Sequence, residues 1–391
     1  MAGSKKAAKK KATDKAAKKS GKKVETKKSA AKPGVKSAQK VESKAAKTSK
    51  TAKPEKAAKP AKAAKPSKTA KPPKLKATKP TLAPALTAEE TAAALAPVPT
   101  TTLAATEWVT QPAQALAPTP GLRLAELDPE ATPGWEGTRE EAEARTLALG
   151  EEMSQLQERL FAEGRTGGTR SVLLVLQGLD TSGKGGIVRH VLGMVDPQGV
   201  SLRSFGVPTE EERSHHYLWR IRNSLPAAGR IGVFDRSHYE DVLVVKVEQL
   251  ADEEEIERRY EEINAFEAEL IEAGTTIVKV ALVISPDEQY ERLRERLVRP
   301  DKHWKFSLGD LHTRERWPAY AQAYETVFER TSTEAAPWHV VPANRKWFSR
   351  LAVSELLVQA LRDLDLGWPV ADFDVAAALE ALDASASLSL D

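Results

Sequence analysis

The sequence predicts a three-layer α/β fold, a parallel sheet with helices on both faces, preceded by a long basic leader. Three observations predict it. Over residues 138–370, short apolar runs of strand type alternate with segments of helical periodicity. The first strand, Ser171-Val-Leu-Leu-Val-Leu, runs into Gln177-Gly-Leu-Asp-Thr-Ser-Gly-Lys-Gly-Gly186 and then into helical spacing from Ile187. Residues 1–100 are mostly Lys, Ala, Pro, Ser and Thr, with no aromatic residue before Trp108, so no core forms there.

Strand, glycine loop, lysine and helix in that order form a phosphate-binding loop. Gly178 and Gly183 let the backbone curl and turn its N–H groups inward. The following helix adds the positive end of its dipole. Lys184 supplies a mobile ammonium for the outer phosphate charge. The pattern G-x-x-x-x-G-K-[ST] is met except at its last position, where Gly185 replaces the hydroxyl that usually touches Mg²⁺. Asp180, inside the loop, is the candidate to hold the metal instead.

The 391 residues include no cysteine, which excludes disulfides and thiolate metal sites and points to a reducing compartment. No apolar run reaches membrane-spanning length, and the basic N-terminus has no apolar stretch behind it; the expectation is a cytoplasmic protein without membrane contact. The net charge of +4 hides a split. Residues 1–80 hold 28 Lys and four acids, +24, leaving 31 basic and 51 acidic residues elsewhere, −20. Lys-Pro recurs at Lys53, Lys59, Lys65, Lys71 and Lys79, and proline at that density blocks a continuous helix. Residues 1–100 therefore read as a disordered polycation suited to nucleic acid, polyphosphate or another polyanion through counterion release.

Residues 101–137 read as a linker and docking segment. Thr138 caps a helix that Gly164 ends, and Gly167-Gly168 turns into the first strand. Val200–Phe205 is a second strand, and Pro208 to about Leu225 a helix. Arg230–Phe234 is a strand delivering Asp235 at its carboxyl end, where ligands of open parallel sheets sit; Asp235 then faces Lys184 across the phosphate site, with Arg236 beside it. Asp252–Ala273 is a helix with Ile256, Tyr260, Ile263, Phe266 and Leu270 on one face. Thr276–Ile284 is a buried strand. From Arg292 to Lys305 the acidic domain turns basic; Arg292, Arg296 and Arg299 share a helical face, Pro300 breaks the helix, and Asp301–Asp310 follows as a loop. Concentrated cations repel one another unless an anion compensates, so the stretch of about 292–315 reads as a lid over a polyanion. A helix over Arg314–Thr331, a strand at Trp338–Pro342 and a helix from Asn344 to about Leu366 complete the domain. Residues 371–391 are a loose C-terminal extension. Trp317, Trp338 and Trp347 read as core, with Trp304 in the basic loop exempted; His215, His216 and His303 read as surface or phosphate-facing.

Gly178–Gly186, then Phe234-Asp-Arg-Ser-His-Tyr-Glu-Asp-Val-Leu-Val, then Arg299-Pro-Asp-Lys-His-Trp-Lys-Phe-Ser-Leu-Gly-Asp310, together resemble the polyphosphate kinase 2 family over roughly residues 120–365. The resemblance implies a P-loop kinase-like fold with a helical lid, and transfer of the terminal phosphate of inorganic polyphosphate to AMP or ADP, with GDP a further acceptor and ATP or GTP among the nucleotides bound. It implies Asp180 and Asp235 as holders of Mg²⁺, or Mn²⁺, and of the reacting phosphates. It implies Lys184, Arg236 and the loop backbone at Gly183, Gly185 and Gly186 as the grip on the transferring group. It implies Arg296, Lys302 and Lys305 as lid residues lining a polyphosphate channel, Arg220 near the nucleotide phosphates, Glu240 near the nucleobase, and a homo-oligomer. Ser-His-Tyr-Glu-Asp looks like the polyphosphate:nucleotide phosphotransferase branch. Two other readings stay open: an ATP-dependent small-molecule kinase of thymidylate-kinase type, and a nucleic-acid-binding protein acting through the basic leader.

Overall fold

The computed structural model describes residues 108–385; the basic leader of residues 1–100 and the last six residues lie outside them. Five strands form one sheet in the order β2-β3-β1-β4-β5, all parallel: β1 Ser171–Gln177, β2 Val200–Ser204, β3 Ile231–Asp235, β4 Thr275–Val283 and β5 Trp338–Pro342. The register sets Leu176 of β1 opposite Asp235 of β3, and Gln177 opposite Ala281 of β4. The glycine loop and Asp235 thus leave the sheet side by side at its carboxyl edge.

Helices in chain order are α1 Pro112–Ala115, α2 Arg139–Arg165, α3 Lys184–His190, α4 Glu210–Arg213, α5 Trp219–Arg222, α6 Glu240–Val247, α7 Glu253–Glu272, α8 Pro286–Val298, α9 Gly309–Glu315, α10 Trp317–Thr331, α11 Lys346–Arg362 and α12 Val375–Ser385. Alternation along β1 explains the two cores. Val172, Leu174 and Leu176 face one side and pack with Met153 and Leu160 of α2, Ile187 of α3 and Phe348 and Leu351 of α11. Leu173 and Val175 face the other, against α6, α7 and α10 through Leu243, Ile263, Phe266, Val327 and Phe328. Strands buried on both faces read as near-continuous apolar runs, which is how β1 and β4 look in the sequence.

Local chemistry fixes most boundaries. Thr138 and Glu141 form a capping box at the start of α2, and Asp252 caps α7 by accepting from the Glu255 N–H. Gly274, at φ +99°, turns the chain from α7 into β4. Residues 108–137 lie on the domain: the Trp108 indole donates to Glu355 at 3.0 Å, Leu116 O accepts from Val340 N at 2.7 Å, and the Leu124 N–H donates to Glu325 at 2.8 Å.

Four boundaries differ from the sequence reading. Gly164 does not end α2; it lies within it, where a Cβ would stand 2.5 Å from Gly229 Cα and 2.7 Å from Ala228 O, so its lack of a side chain lets the helix touch the turn before β3. The helix expected over 208–225 is two single turns, α4 and α5. The Ser214 hydroxyl takes the Glu211 carbonyl at 2.7 Å, a local bond that competes with helix continuation. The helix expected from Arg314 starts at Trp317, with Pro318 in its first turn and Arg314 at the end of α9. Pro300–Lys305 is a 3₁₀ segment in place of open loop.

Candidate active site

The glycine loop is shaped by backbone constraints on both sides. Gly178 adopts φ +141° and Gly183 φ +118°; a Cβ on Gly178 would stand 2.5 Å from Leu282 O. Gly185 and Gly186 are different. A Cβ on either would meet nothing within 4 Å, so protein packing does not require glycine there; bare backbone leaves room for a ligand to approach. Thr181 and Ser182 carry buried hydroxyls without a hydrogen-bond partner among the described residues. Buried hydroxyls without a partner in residues that line the same cavity suit an incoming polar ligand.

A loop that turns N–H groups inward turns carbonyls outward, and those need donors. The Lys184 ammonium donates to Gly178 O at 2.7 Å. The Gln289 amide donates to Asp180 O at 3.2 Å. Arg292 serves the rest: Nη1 donates to Thr181 O at 2.8 Å and Ser182 O at 3.1 Å, Nη2 to Ala343 O at 2.8 Å and Asn344 O at 3.1 Å, and Nε to Glu288 at 2.6 Å. All of its donors are used within the protein. Arg292 therefore fixes the loop from behind, while Tyr324 Oη accepts the Gly178 N–H at 2.9 Å on another side.

In front of the loop lies a cavity of about 710 Å³. Asp180, Gly183, Lys184, Gly185, Gly186, Asp235, Arg236, Arg296, Lys302 and Lys305 all line it, as do Arg189, Lys346 and Arg350. Most of the lid cations are neutralised locally. Arg296 pairs with Asp310 at 3.1 Å, Lys302 with Glu295 at 2.6 Å, and Arg299 with Asp301 at 2.7 Å. Arg189, Lys305, Lys346 and Arg350 make no ion pair with a carboxylate among the described residues, and Lys305 lies over the Trp304 ring. Trp304 is 79% exposed at the cavity's border, as its place in the basic loop suggests.

A second cavity of about 440 Å³ adjoins the first and shares Asp180 and Arg236 with it; Glu240, Glu248, Asp310, His312, Tyr320 and Tyr324 are among its walls. Arg236 stands between the two, paired with Asp180 at 2.6 Å and Glu240 at 3.8 Å. Burial opposes its charge, but the Glu240 and Asp180 carboxylates hold it protonated above the usual range. Burial and the neighbouring Arg236 pull the Lys184 ammonium below its ordinary value, and burial pushes the Glu240 carboxyl up. Gln177 links the segments: its amide N–H reaches Glu240 Oε1 at 3.0 Å and its oxygen accepts from Ser237 Oγ at 3.0 Å.

The structure brings together every sequence-predicted site residue but one. Arg220 lines neither cavity. It is buried, donates to Gly206 O at 2.9 Å and approaches Asp241 at 3.4 Å, beside a separate cleft of about 300 Å³. Sequence reasoning missed Arg189, Lys346 and Arg350. The position of Lys346 and Arg350, just beyond the carboxyl end of β5, was the available signal.

An all-parallel 2-3-1-4-5 sheet, with a glycine-rich loop after its central strand and a basic helical segment beside it, defines a P-loop kinase-like fold. Residues 136–366 match the family model for polyphosphate kinase 2, and the chain belongs to that family. It is 45% identical over 248 residues to an AMP/ADP-polyphosphate phosphotransferase of Meiothermus ruber, covering 63% of this chain and 91% of that protein. It is 41% identical over 231 residues to an ADP-polyphosphate phosphotransferase of Rhodopseudomonas palustris, covering 56% and 78%. The crystal structure of polyphosphate kinase 2 from Arthrobacter aurescens TC1 matches with a TM-score of 0.69 at 55% identity, over 71% of this chain and 99% of that one.

Replacing Arg292 by Met should strip the loop carbonyls of their donors. The expected outcome is a stability loss of about 2–4 kcal/mol by denaturant melts, with amide exchange accelerated at 178–186 before it is elsewhere. Unchanged exchange in the loop would refute the bracing role.

Proposed function

We propose that this protein transfers the terminal phosphate of inorganic polyphosphate to AMP or ADP, with GDP as a further acceptor. One observation carries the reading. The cavity at Lys184 is lined by nine Lys and Arg against Asp180, Asp235 and Glu295. Carboxylates engage Arg236, Arg292, Arg296 and Lys302, which leaves Lys184, Arg189, Lys305, Lys346 and Arg350 without an ion pair among the described residues; cations spread over the loop, the lid and two helices suit a long chain of linked phosphates. That spread favours polyphosphate over ATP as donor and so disfavours the thymidylate-kinase alternative.

In this reading the donor chain lies along the large cavity, over Arg189, Lys346, Arg350 and the lid residues Arg296, Lys302 and Lys305. Its terminal phosphate sits between Lys184, Arg236 and the bare backbone at Gly183, Gly185 and Gly186. The acceptor occupies the adjoining cavity beside Glu240, and its terminal phosphate oxygen attacks the donor phosphorus in line. A P–O bond forms to the acceptor as the bridging P–O bond breaks, releasing the chain one unit shorter. The attacking oxygen is already an anion, so the site works by positioning and charge neutralisation. Asp180 and Asp235 are hard oxygen donors on the same cavity, and no group of three or more His, Asp or Glu suited to a metal occurs among the described residues. That donor set fits Mg²⁺ or Mn²⁺ completed by substrate oxygens, which when bound would neutralise and orient the phosphates. The position of Arg220 supports no direct role at these phosphates.

No helix among the described residues is long and apolar enough to cross a membrane. The leader, with 28 Lys and no Arg or aromatic in residues 1–80, has the charge to hold polyanions but lacks side chains that stack on or fork to bases. We assign it to capture of polyphosphate rather than sequence-reading of nucleic acid. Removing residues 1–100 should raise KM for long-chain polyphosphate several-fold and leave short-chain turnover unchanged; equal KM for both lengths would reject this.

Turnover of AMP, ADP and GDP with polyphosphate and Mg²⁺ tests the main reading, and its absence with all three rejects it. Lys184→Ala should cut kcat about 10²–10³-fold with an unchanged circular dichroism spectrum. Lys346→Ala with Arg350→Ala should instead raise KM for polyphosphate about tenfold at nearly constant kcat. These cations would contact internal phosphates equally in ground and transition states.

A further inference from the structure

Behind the Asp235–Glu240 segment, the second core encloses charges that the phosphate cavity does not touch. Lys279, in the middle of β4 between Val278 and Val280, is 0% exposed. Its ammonium donates to Glu267 Oε2 at 2.6 Å, Thr331 O at 2.7 Å and Tyr239 Oη at 3.0 Å. The other oxygen of Glu267 accepts from Tyr239 Oη at 2.7 Å and lies 3.2 Å from His238 Nε2. Trp338 closes the set by donating to Thr331 Oγ1 at 2.9 Å. Five segments meet here: β4, α7, the end of α10, β5 and the loop leading into α6.

Such a pair is a poor stability device. Taking both ions out of water costs several kcal/mol each, and apolar residues of similar volume often serve as well or better. Its contacts point to another use. Tyr239 and His238 stand in the chain between Arg236, which lines both cavities, and Glu240, which pairs with it at 3.8 Å in the smaller one. Arg236 has φ +64°, a left-handed backbone that costs a non-glycine residue about 1–2 kcal/mol and persists only where the surroundings over-determine it. One anchor precedes it: Arg236 N donates to Leu176 O at 3.0 Å. The others follow it: Ser237 on Gln177, then His238 and Tyr239 on Glu267 and Lys279.

We propose that Lys279 and Glu267 are positioning residues for phosphoryl transfer, holding the Ser237–Tyr239 turn so that Arg236 keeps its strained backbone and its aim at the transferring phosphate. The inference rests on the proposed role of Arg236. The ion pair acts through the Tyr239 hydroxyl, which both charged groups bind, and without it the turn relaxes and the guanidinium shifts.

Two variants test it. Tyr239→Phe removes the hydroxyl and keeps the ring; Lys279→Met with Glu267→Gln removes both charges at similar volume. Kinetics are run with polyphosphate and ADP on the full chain, below the melting temperature of each protein. The expected result is kcat lower by about 10–100-fold, as an ångström of misplacement produces, with KM for polyphosphate within about threefold of wild type. A purely structural pair would lower the melting temperature and leave kcat of the folded protein untouched. Should the double variant fail to fold, Tyr239→Phe decides alone. Wild-type kcat in Tyr239→Phe overturns the inference while wild-type turnover upholds the function; a wild-type protein without turnover overturns both.

Discussion

A backbone that points its amides at an anion must point its carbonyls somewhere else, and the site follows from that constraint. Five oxygens at the glycine loop and the β5–α11 connection would be stranded without donors: those of Asp180, Thr181, Ser182, Ala343 and Asn344. Gln289 and Arg292, both on α8, satisfy them. The helix that carries Arg296 and leads into the lid segment Pro300–Lys305 is therefore the same helix that braces the loop. Arg296 stands one turn beyond Arg292 and faces the cavity, so a single element sets both the inner wall and the cationic roof.

The charge distribution has the same logic. A domain with a large excess of carboxylates builds a basic cavity by pairing its lid cations with Glu295, Asp301 and Asp310, which limits their mutual repulsion. The cavity cations that make no ion pair among the described residues include Lys305 in the lid, Arg189 on α3, and Lys346 and Arg350 on α11. A polyanion can meet these cations without first breaking an ion pair.

Much of this was legible in the sequence. The strand–loop–lysine–helix order, the Asp at the end of β3 and the apolar face of α7 follow from periodicity and spacing, and the structure reproduces them. What was not legible has physical causes. A run of arginines reads the same whether it faces solvent, a ligand or a buried carbonyl, so Arg292 looked like its neighbours. Arg189 and Arg350 are far apart in the chain and meet only because parallel strands end at one edge. Lys279 sits in an apolar run whose burial was expected, but one lysine between valines does not announce a partner on another helix. The single turns at 210–213 and 219–222 turn on a serine hydroxyl competing for a carbonyl, which propensity does not weigh.

Trp304 stands mostly in solvent at the border of the large cavity, and this bears on how a polymer of identical units would be held. Were units past the indole to meet only solvent, they would add no contact. Added length would then contribute only alternative registers, each equivalent, as a long rope offers more places to grip but no firmer grip. Affinity per chain would rise in proportion to the number of registers, roughly 1.4 kcal/mol for each tenfold increase in length, while affinity counted per phosphate unit would stay the same for a long reserve and a short remnant.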